Sequence, residues 1–494
     1  MTIDIDLKDS KLSQEVKPPK NIGRKERKEK KKKKRDFKPL DLDQKKKRKK
    51  KRIIITLTVL LLLAIGIGFL IYKGYIWSHD FGFRFQPGSL ISSEKKELKK
   101  DSSGNFTNVL LVGLDTRENG GLLNTDTLIF ASYNHKTHNI TLLSVPRDFH
   151  VEIDEDVSWY VRINSLYSSA EQKKEGSGII ALQKSIERLT GQEIQYYAMV
   201  DFNAFIEIID AIGGIDINVE NSFTDYRYPL GLDYQTVSFK AGPQTMDGET
   251  ALMYSRSRHS LHNNEGTDFA RARRQQKVII ALRDKLLSSE SLTNPKTLIG
   301  IFSSIAGNVR ISEFSTKDIE AALKLAQKYE EEGGEAFSFV LGPTIGNRLL
   351  VENKHLKSEA YAIGPKEGLG KYDNIIEFIN LIMNSPEMYD ENPNILVYDT
   401  GAGFQKAKRM SEILEEEFPY INITFAGTLR SDQEEIVIYS QENEEGEKEY
   451  TYTLSKFARF LKADLTEKPE YITTKLNGED VTILLGKNLE LKED

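Results

Sequence analysis

The chain has 494 residues, a net charge of −5 at neutral pH, and 39% hydrophobic and 9% aromatic residues, which is enough for two or three domains with hydrophobic cores. It contains no cysteine, which excludes disulfides, a thiolate nucleophile and cysteine-ligated zinc. The charge is unevenly distributed, because residues 1–52 carry 23 Lys and Arg against 9 Asp and Glu while the rest of the chain is acidic.

An uncharged stretch of twenty residues, IIITLTVLLLLAIGIGFLIY, follows this basic tail at residues 53–72. About 20 apolar residues in a helix span the hydrocarbon core of a bilayer, so the stretch is predicted to be a transmembrane helix. Lys and Arg precede it and the aromatic YIW follows it, which predicts a cytoplasmic N-terminus and an extracytoplasmic body. We therefore expect a single-pass protein of the cell membrane whose basic tail contacts membrane lipid, and we expect no nucleic-acid partner.

Residues 73–103 are polar and are predicted to form an extracytoplasmic linker. The runs NVLLVGLD, TLIFASY and ITLLSV come next, and their apolar and β-branched residues predict three strands. A helix is predicted for SGIIALQKSIERLTG, which begins at a serine and ends at Gly191. The pattern continues with a strand in IQYYAMV, a helix in FNAFIEIIDAIGG and a strand in IDINV. The segment FKAGPQTM is interpreted as a loop because Gly242-Pro243 interrupts it.

Two more helices are predicted, in DGETALMYSRSR and in DFARARRQQKVIIALRDKLLSS, which begins at Asp268. Alternating strands and helices predict an α/β fold, an α-β-α sandwich with a mixed central sheet, over residues 104–385. After the turn-rich SPEMYDENPN, the runs NILVYDTG, AKRMSEILEEEF, INITFAG and VTILLGK predict a small second α/β domain over residues 393–492. No chemistry is evident in this second domain.

Charged residues accompany the ends of the first three predicted strands. Asp115 and Arg117 follow the first strand, Asp126 precedes the second, and Arg147 follows the third. Loops at strand ends are where α/β sheets bind ligands. Mg²⁺ is held by one or two carboxylates and by substrate phosphate oxygens, and arginine binds phosphate through two hydrogen bonds. Each residue alone has a simpler interpretation as a turn carboxylate or surface arginine, whereas together they favour a site for Mg²⁺-bound phosphate.

Five arginines are concentrated in MYSRSRHSLHNNEGTDFARARRQQK, residues 253–277. On the helix that begins at Asp268, the spacing of three and seven residues places Arg271 and Gln275 on the same face as Asp268. Arg273 points elsewhere and is predicted to be solvated. The histidines of the intervening loop, His259 and His262, are expected to have no catalytic role.

The segments NVLLVGLDTR, the TDT of NTDT, SVPRD, RINSLY, FIEIIDAIGGIDINV and YSRSR…DFARARRQQ, in this order over residues 105–289, together resemble the LytR-CpsA-Psr family of cell-envelope proteins. The C-terminal segment resembles the LytR C-terminal domain. The family resemblance implies a transferase that moves polyprenyl-pyrophosphate-linked glycopolymers, such as teichoic acid or capsule, onto peptidoglycan and releases polyprenyl phosphate. It also implies an apolar pocket for the polyprenyl chain, whose lining the sequence does not identify.

The resemblance assigns roles by motif. It implies that Asp115 and Asp126 bind Mg²⁺, and that Arg147, Asp126 and Asp268 are catalytic. The sequence does not identify the general base; Asp268 is the candidate, acting either by deprotonating a sugar hydroxyl or by orienting Arg271. The implied pyrophosphate-binding residues are Arg117, Arg147, Arg162, Arg256, Arg258, Arg271 and Gln275.

Two departures from the family pattern matter for function. Asn124 stands where the family usually has arginine, and HSLHNNEGT between Arg258 and Asp268 is longer than expected. The missing charge keeps open a polyprenyl-pyrophosphate hydrolase that needs no acceptor and a lipid-pyrophosphate-binding module. A third alternative is an envelope regulator or scaffold, in which the C-terminal domain recruits envelope partners.

Overall fold

The computed structural model describes residues 83–84, 97–115, 124–154, 157–231, 233–287, 309–312, 314–342, 344–345, 348–349, 351–355, 361–429, 432–440, 450–469, 472 and 480–491. Contacts divide the chain into Met1–Phe69 and Leu70–Asp494, and every described residue belongs to the second unit. The basic tail of residues 1–52, the predicted transmembrane helix of residues 53–72 and Arg117 lie outside the described residues. No helix among the residues that are described has both the length and the apolar character needed to cross a membrane.

The described residues form runs of strands separated by single helices or pairs of helices. The strands are β1 (Phe83–Arg84), β2 (Phe106–Asp115), β3 (Asn124–Asn134), β4 (Ile140–Ser144), β5 (His150–Asp154), β6 (Val157–Arg162), β7 (Tyr196–Val200), β8 (Ile215–Val219), β9 (Phe223–Leu230), β10 (Asp233–Phe239), β11 (Gly242–Met246), β12 (Val309–Ile311), β13 (Phe314–Ser315), β14 (Ala336–Val340), β15 (Thr344–Ile345), β16 (Arg348–Leu349), β17 (Val351–His355), β18 (Tyr361–Pro365), β19 (Asn394–Asp399), β20 (Asn422–Thr428), β21 (Val437–Ser440), β22 (Asp464–Leu465) and β23 (Val481–Leu485). The helices are α1 (Ile163–Lys173), α2 (Ser177–Thr190), α3 (Phe202–Ala211), α4 (Gly248–Arg256), α5 (Asp268–Leu287), α6 (Thr316–Glu331), α7 (Asp373–Asn384), α8 (Pro386–Glu391), α9 (Phe404–Glu417) and α10 (Thr451–Leu461).

The predicted end of α2 at Gly191 is confirmed. Gly191 has a φ of 67°, which is the left-handed conformation that glycine adopts without strain, and its N–H donates to the carbonyl of Glu187 at 2.8 Å. The interpretation of FKAGPQTM as a loop is wrong for its second half, because Gly242–Met246 forms β11 and pairs with β8. Pro243 is tolerated there because these strands form a two-stranded sheet, in which a strand has an open edge.

The central sheet has six strands in the order β12-β7-β2-β3-β4-β14. The pairs β2–β7 and β4–β14 are parallel, whereas β2–β3, β3–β4 and β7–β12 are antiparallel. The predicted α/β fold with a mixed sheet is therefore confirmed.

Successive residues of a strand point to opposite sides of the sheet, so the strands present side chains on both faces. Helices cover both of these faces. Leu110 and Val112 of β2 are buried in the core on one face, together with apolar residues of α1, α2 and α7. Leu111 of β2 and Ile129 of β3 point to the other face and line a cavity beneath α3, α4 and α5. The arrangement is the predicted α-β-α sandwich, and the second face holds the cavity.

A second sheet, in the order β20-β19-β23-β21-β22, forms over residues 394–485. Its core is continuous with that of the first sheet through Phe378 of α7, whose ring contacts Phe339, Tyr389 and Tyr420 at centroid distances of 6.3, 6.1 and 5.4 Å. The hydroxyl of Tyr420 also donates to Glu377 Oε2 at 2.7 Å. The likeness of this segment to the LytR C-terminal domain and the domain boundaries at 385 and 393 stay predictions.

We predict that Phe378→Ala lowers the free energy of unfolding by about 3–5 kcal/mol, the range typical of truncating a buried phenylalanine. The physical reason is that the ring packs against residues of both sheets, so its removal leaves a cavity at their junction. The midpoint of thermal unfolding of the full chain in detergent measures the effect. Phe404→Ala is the control, because that ring is 49% exposed. An equal loss of stability in both variants would contradict the assignment.

Candidate functional site

Asp126 is placed in the site by a β-bulge. In the pairing of β2 with β3, Gly113 lies opposite Thr127 and Leu114 lies opposite Thr125, so Asp126 is the extra residue on β3. A side chain at position 113 would not fit, because a Cβ there would lie 2.9 Å from the Thr127 Cβ. Bulges redirect side chains near functional sites. The Asp126 carboxylate is accordingly partly exposed and accepts a hydrogen bond from Arg147.

Arg147 lies just beyond the end of β4 and faces three carboxylates. Its Nη1 donates to Asp126 Oδ1 at 3.2 Å, and its Nε lies 3.6 Å from Asp148 Oδ2. Burial opposes the positive charge of Arg147, but the carboxylates of Asp126, Asp268 and Asp148 outweigh it and raise the pKa of the guanidinium. The Nε atom is buried and has no hydrogen-bond partner in the described part of the molecule, so a donor remains available to an anion.

Three of the predicted site residues lie in the first turns of α5 and line the same cavity. Asp268, Arg271 and Gln275 line one polar cavity of about 250 Å³ together with Asp126 and Arg147, which confirms that they share a helix face. We refer to this space as the first polar cavity.

Arg271 contributes a buried positive charge to the first polar cavity. Its Nη2 pairs with Asp268 Oδ1 at 3.0 Å, and its Nε is buried without a hydrogen-bond partner among the residues described. Burial lowers the pKa of Arg271; Asp268 counteracts this, and nearby Arg147 adds to it. A guanidinium nevertheless stays protonated at neutral pH, so the buried Arg271 and the partly buried Arg147 repel each other, and a further anion between them reduces this repulsion.

Arg256 and Arg258 line a second polar cavity of about 40 Å³, which shares Asp126, Arg271 and Gln275 with the first. The guanidinium of Arg256 lies 3.8 Å from the centroid of the Phe202 ring, a cation–π contact that holds it at the cavity wall. Thr127 also lines both, so the two polar cavities share four residues.

A larger, apolar cavity of about 470 Å³ lies between the sheet and helices α3, α4 and α5. Its lining includes Leu111, Ile129, Ala198, Phe205, Leu252 and Ile279. Thr127, Arg256 and Gln275 also line this apolar cavity, and all three line the second polar cavity. The apolar space thus meets the arginine cluster at one end, an arrangement that suits an amphipathic molecule with an anionic head.

Three predicted site residues are not brought into these cavities. Arg117 lies outside the described residues. Asp115 is buried at the end of β2 opposite Asn124 and does not line the three cavities described above. Arg162 does not line the first polar cavity but contacts Asp148, which does: its Nη1 lies 3.7 Å from Asp148 Oδ1. The functional roles of all predicted residues stay predictions.

The carboxylates of Asp115, at the end of β2, and Asp126, near the start of β3, are oxygen ligands of the kind that Mg²⁺ prefers. Within the described ranges, no group of three or more His, Cys, Asp and Glu side chains is arranged to hold a metal ion. Mg²⁺ needs no such group when substrate phosphate and water complete its shell. Asp126 borders both polar cavities, and Asp115 ends the neighbouring strand, so the two carboxylates that the sequence predicts as Mg²⁺ ligands belong to adjacent strands.

Arg274 has a structural role that the sequence did not reveal. Its Nε donates to the carbonyl of Tyr254 at 2.9 Å, its Nη1 to the carbonyl of Glu265 at 3.0 Å, and its Nη2 to the carbonyl of Ser257. It also forms a buried ion pair with the Glu265 carboxylate. Arg274 therefore ties the segment that carries Arg256 and Arg258 to α5. The adjacent Arg273 is exposed, as predicted.

Sequence reasoning missed other residues that line the second polar cavity, namely Phe202, Asp225, Pro229 and His259. Asp225 and Pro229 belong to the β9–β10 hairpin, for which no element was predicted. The only available signal was the unusual length of the loop that contains His259.

Comparison with known proteins gives consistent matches. The LytR_cpsA_psr family model matches residues 87–336. The cell wall biosynthesis protein LcpA of Corynebacterium glutamicum is 29% identical over 244 residues, which are 42% of this chain and 45% of LcpA. The polyisoprenyl-teichoic acid–peptidoglycan teichoic acid transferase TagU of Enterococcus faecalis is 28% identical over 249 residues, 49% of this chain and 73% of TagU. The crystal structure of B. subtilis TagV aligns with 57% of this chain and 98% of that chain, at 23% identity and a TM-score of 0.42. The chain thus spans about half the length of LcpA.

We predict that Arg274→Met destabilises the protein by about 3–5 kcal/mol, because it removes one partner of a buried ion pair and leaves Glu265 uncompensated. Arg273→Met, the same substitution at the neighbouring exposed position, is expected to change stability by less than about 0.5 kcal/mol. Thermal unfolding of the two variants measures the difference. Equal midpoints would show that Arg274 does not hold the loop.

Proposed function

The chain belongs to the LytR-CpsA-Psr family, and from this membership and the geometry of the site we propose that it is a glycopolymer–peptidoglycan phosphotransferase. It takes a glycopolymer linked to polyprenyl pyrophosphate, transfers the polymer with its linking phosphate to peptidoglycan, and releases polyprenyl phosphate. The relative TagU is named for the transfer of teichoic acid to peptidoglycan, which supports this class of donor and acceptor.

The observation that carries the proposal is the junction between the apolar cavity and the arginine cluster. A polyprenyl pyrophosphate has a hydrocarbon chain attached to a multiply charged head. The apolar cavity suits the chain, and Arg147, Arg258 and Arg271 around the polar cavities suit the head. Burying the hydrocarbon chain contributes a free energy of roughly 25 cal/mol per Å² of buried apolar surface to binding, while charge-assisted hydrogen bonds fix the phosphates.

The unpartnered Nε atoms of Arg147 and Arg271 support the binding of phosphate oxygens. Buried donors without partners are costly in a folded protein, and an anion that accepts from them relieves this cost. The same anion reduces the repulsion between the two guanidinium groups. The apoprotein partly neutralises them instead with Asp126 and Asp268.

Phosphoryl transfer depends mainly on positioning and on cancelling negative charge at the phosphorus. In the proposed reaction, the arginines hold the pyrophosphate and stabilise the charge that develops on the leaving polyprenyl phosphate. Asp126 and Asp115 would hold Mg²⁺, which when bound neutralises phosphate charge. Asp268 orients Arg271 toward the phosphates.

The proposed location follows from the sequence of residues 1–72. We propose that the predicted helix of residues 53–72 anchors the protein in the cell membrane with its body outside the cytoplasm. This location gives the site access to both a lipid-linked donor in the bilayer and peptidoglycan.

A hydrolase that uses water instead of peptidoglycan is the second candidate. It is favoured by Asn124, which brings no charge where the family usually has arginine. Water and a sugar hydroxyl attack phosphorus in the same way, so the acceptor requirement distinguishes the two functions.

We predict that Asp126→Ala and Arg147→Ala each lower the rate of polyprenyl phosphate release by about 100-fold or more, the typical effect of removing a group that stabilises transition-state charge. The assay uses the full chain, Mg²⁺, a lipid-linked glycopolymer and peptidoglycan, and Arg273→Ala is the control. Full turnover by the Asp126 and Arg147 variants would refute the assigned site. Release at the same rate without peptidoglycan would favour the hydrolase.

We predict that Ala198→Phe, which fills the apolar cavity from the sheet, raises KM for a long-chain polyprenyl donor. Displacing two or three CH₂ groups at about 0.8 kcal/mol each corresponds to a loss of roughly 20-fold in affinity. A short-chain analogue that leaves this space empty is expected to lose much less. Ile180→Phe on α2, where Ile180 is 55% exposed, is the matched control. An equal loss with both chain lengths would show that the lipid lies elsewhere.

A further inference from the structure

Asp225 of β9 organises the loop that follows α4. This carboxylate is almost fully buried and accepts hydrogen bonds from the backbone N–H groups of Arg227, Arg258 and His259 at 2.9, 2.8 and 3.2 Å. Asp225 also forms an isolated antiparallel bridge with Ser260. The backbone at His259 is therefore fixed against the hairpin, although the sequence around it has the composition of a solvated loop.

The same carboxylate faces the imidazole ring of His259. The ring Nδ1 lies 3.6 Å from Asp225 Oδ1, and Nδ1 is buried without a hydrogen-bond partner in the described structure. A carboxylate beside Nδ1 favours the tautomer with its proton on that nitrogen. The lone pair then resides on Nε2, at the opposite edge of the ring.

His259 lines the second polar cavity, beside the arginines proposed to hold the pyrophosphate. The charged groups that face it there are Asp225 of β9, Asp126 of β3, Arg256 of α4, Arg271 of α5 and Arg258 of its own loop.

We infer that His259 is the general base of the reaction and that Asp225 is the residue that positions it. The inference rests on the proposed function. The proton of the attacking hydroxyl moves to His259 Nε2 while the hydroxyl oxygen forms a bond to the phosphorus of the linking phosphate. The bond between that phosphorus and the bridging oxygen breaks, and its electron pair leaves with polyprenyl phosphate.

This assignment replaces Asp268 as the candidate base. Asp268 is paired with Arg271 at 3.0 Å, so its carboxylate already neutralises a cation of the site. His259 faces the Asp225 carboxylate instead, and it leaves the pairing of Asp268 with Arg271 intact.

The test measures kcat, KM and the pH dependence of polyprenyl phosphate release by the full chain with Mg²⁺, lipid-linked donor and peptidoglycan. We expect His259→Gln to lower kcat by about 100-fold or more with little change in KM, the typical contribution of a general base. The dependence of the rate on pH that a general base confers should be present in the wild-type protein and absent from the variant. Asp225→Asn should lower kcat less, and its thermal unfolding shows whether the loop remains folded.

Two further variants separate this role from simple phosphate binding. His259→Arg keeps a cation in the cavity and should be as impaired as His259→Gln, whereas His262→Gln, at an exposed position of the same loop, should retain full activity. A His259→Gln variant with the wild-type rate and pH profile would overturn the inference while the proposed function stands. An active His259→Arg variant, or a change in KM alone, would also overturn it. An inactive wild-type protein under these conditions would overturn the proposed function and the inference with it.

Discussion

The hydrogen bonds of Arg274 are the interaction on which the geometry of the site depends. One guanidinium binds the carbonyls of Tyr254, Ser257 and Glu265, which lie at the end of α4 and along the following loop. These groups are separated from Arg274 by 9 to 20 positions in sequence. The segment with Arg256 and Arg258 is thereby held beside the helix with Arg271 and Gln275. Arg274 does not itself line the cavities of the site. It holds together the two elements that form the site, α5 and the end of α4 with its following loop.

The second constraint is the cost of burying several cations together. Arg147 and Arg271 are near enough to influence each other, and burial disfavours the charge of both. In the free protein, Asp126 and Asp148 lie beside Arg147, and Asp268 pairs with Arg271. In the proposed complex, a pyrophosphate brings further negative charge to both arginines while Asp268 stays paired with Arg271. The adjoining apolar cavity restricts which anions gain the most from binding, because those with a hydrocarbon chain also bury apolar surface.

Much of this arrangement is predictable from local patterns, and the remainder depends on contacts that leave no local trace. The strands around Asp126 and Arg147 follow from their apolar and β-branched residues, and helical spacing suffices to align Asp268, Arg271 and Gln275. Arg274 lies roughly 120° around the helix from Asp268, and its partners are backbone carbonyls, which any sequence provides. The bulge at Asp126 and the contact between Asp225 and His259 depend on strand register. Register is determined by how residues of two different chain segments pair, so it cannot be predicted from one segment alone.

The carboxylates of the site each have another structural role, which explains why a histidine is the most suitable base. Asp126 and Asp268 pair with guanidinium groups, and Asp225 accepts three backbone hydrogen bonds. Each of these carboxylates thus already pairs with a cation or holds the backbone. The imidazole of His259 differs, because its Nδ1 edge faces a carboxylate and its Nε2 is left to accept the proton. In a cavity whose main requirement is positive charge for the phosphates, a neutral base accepts the proton without cancelling the field that holds the substrate.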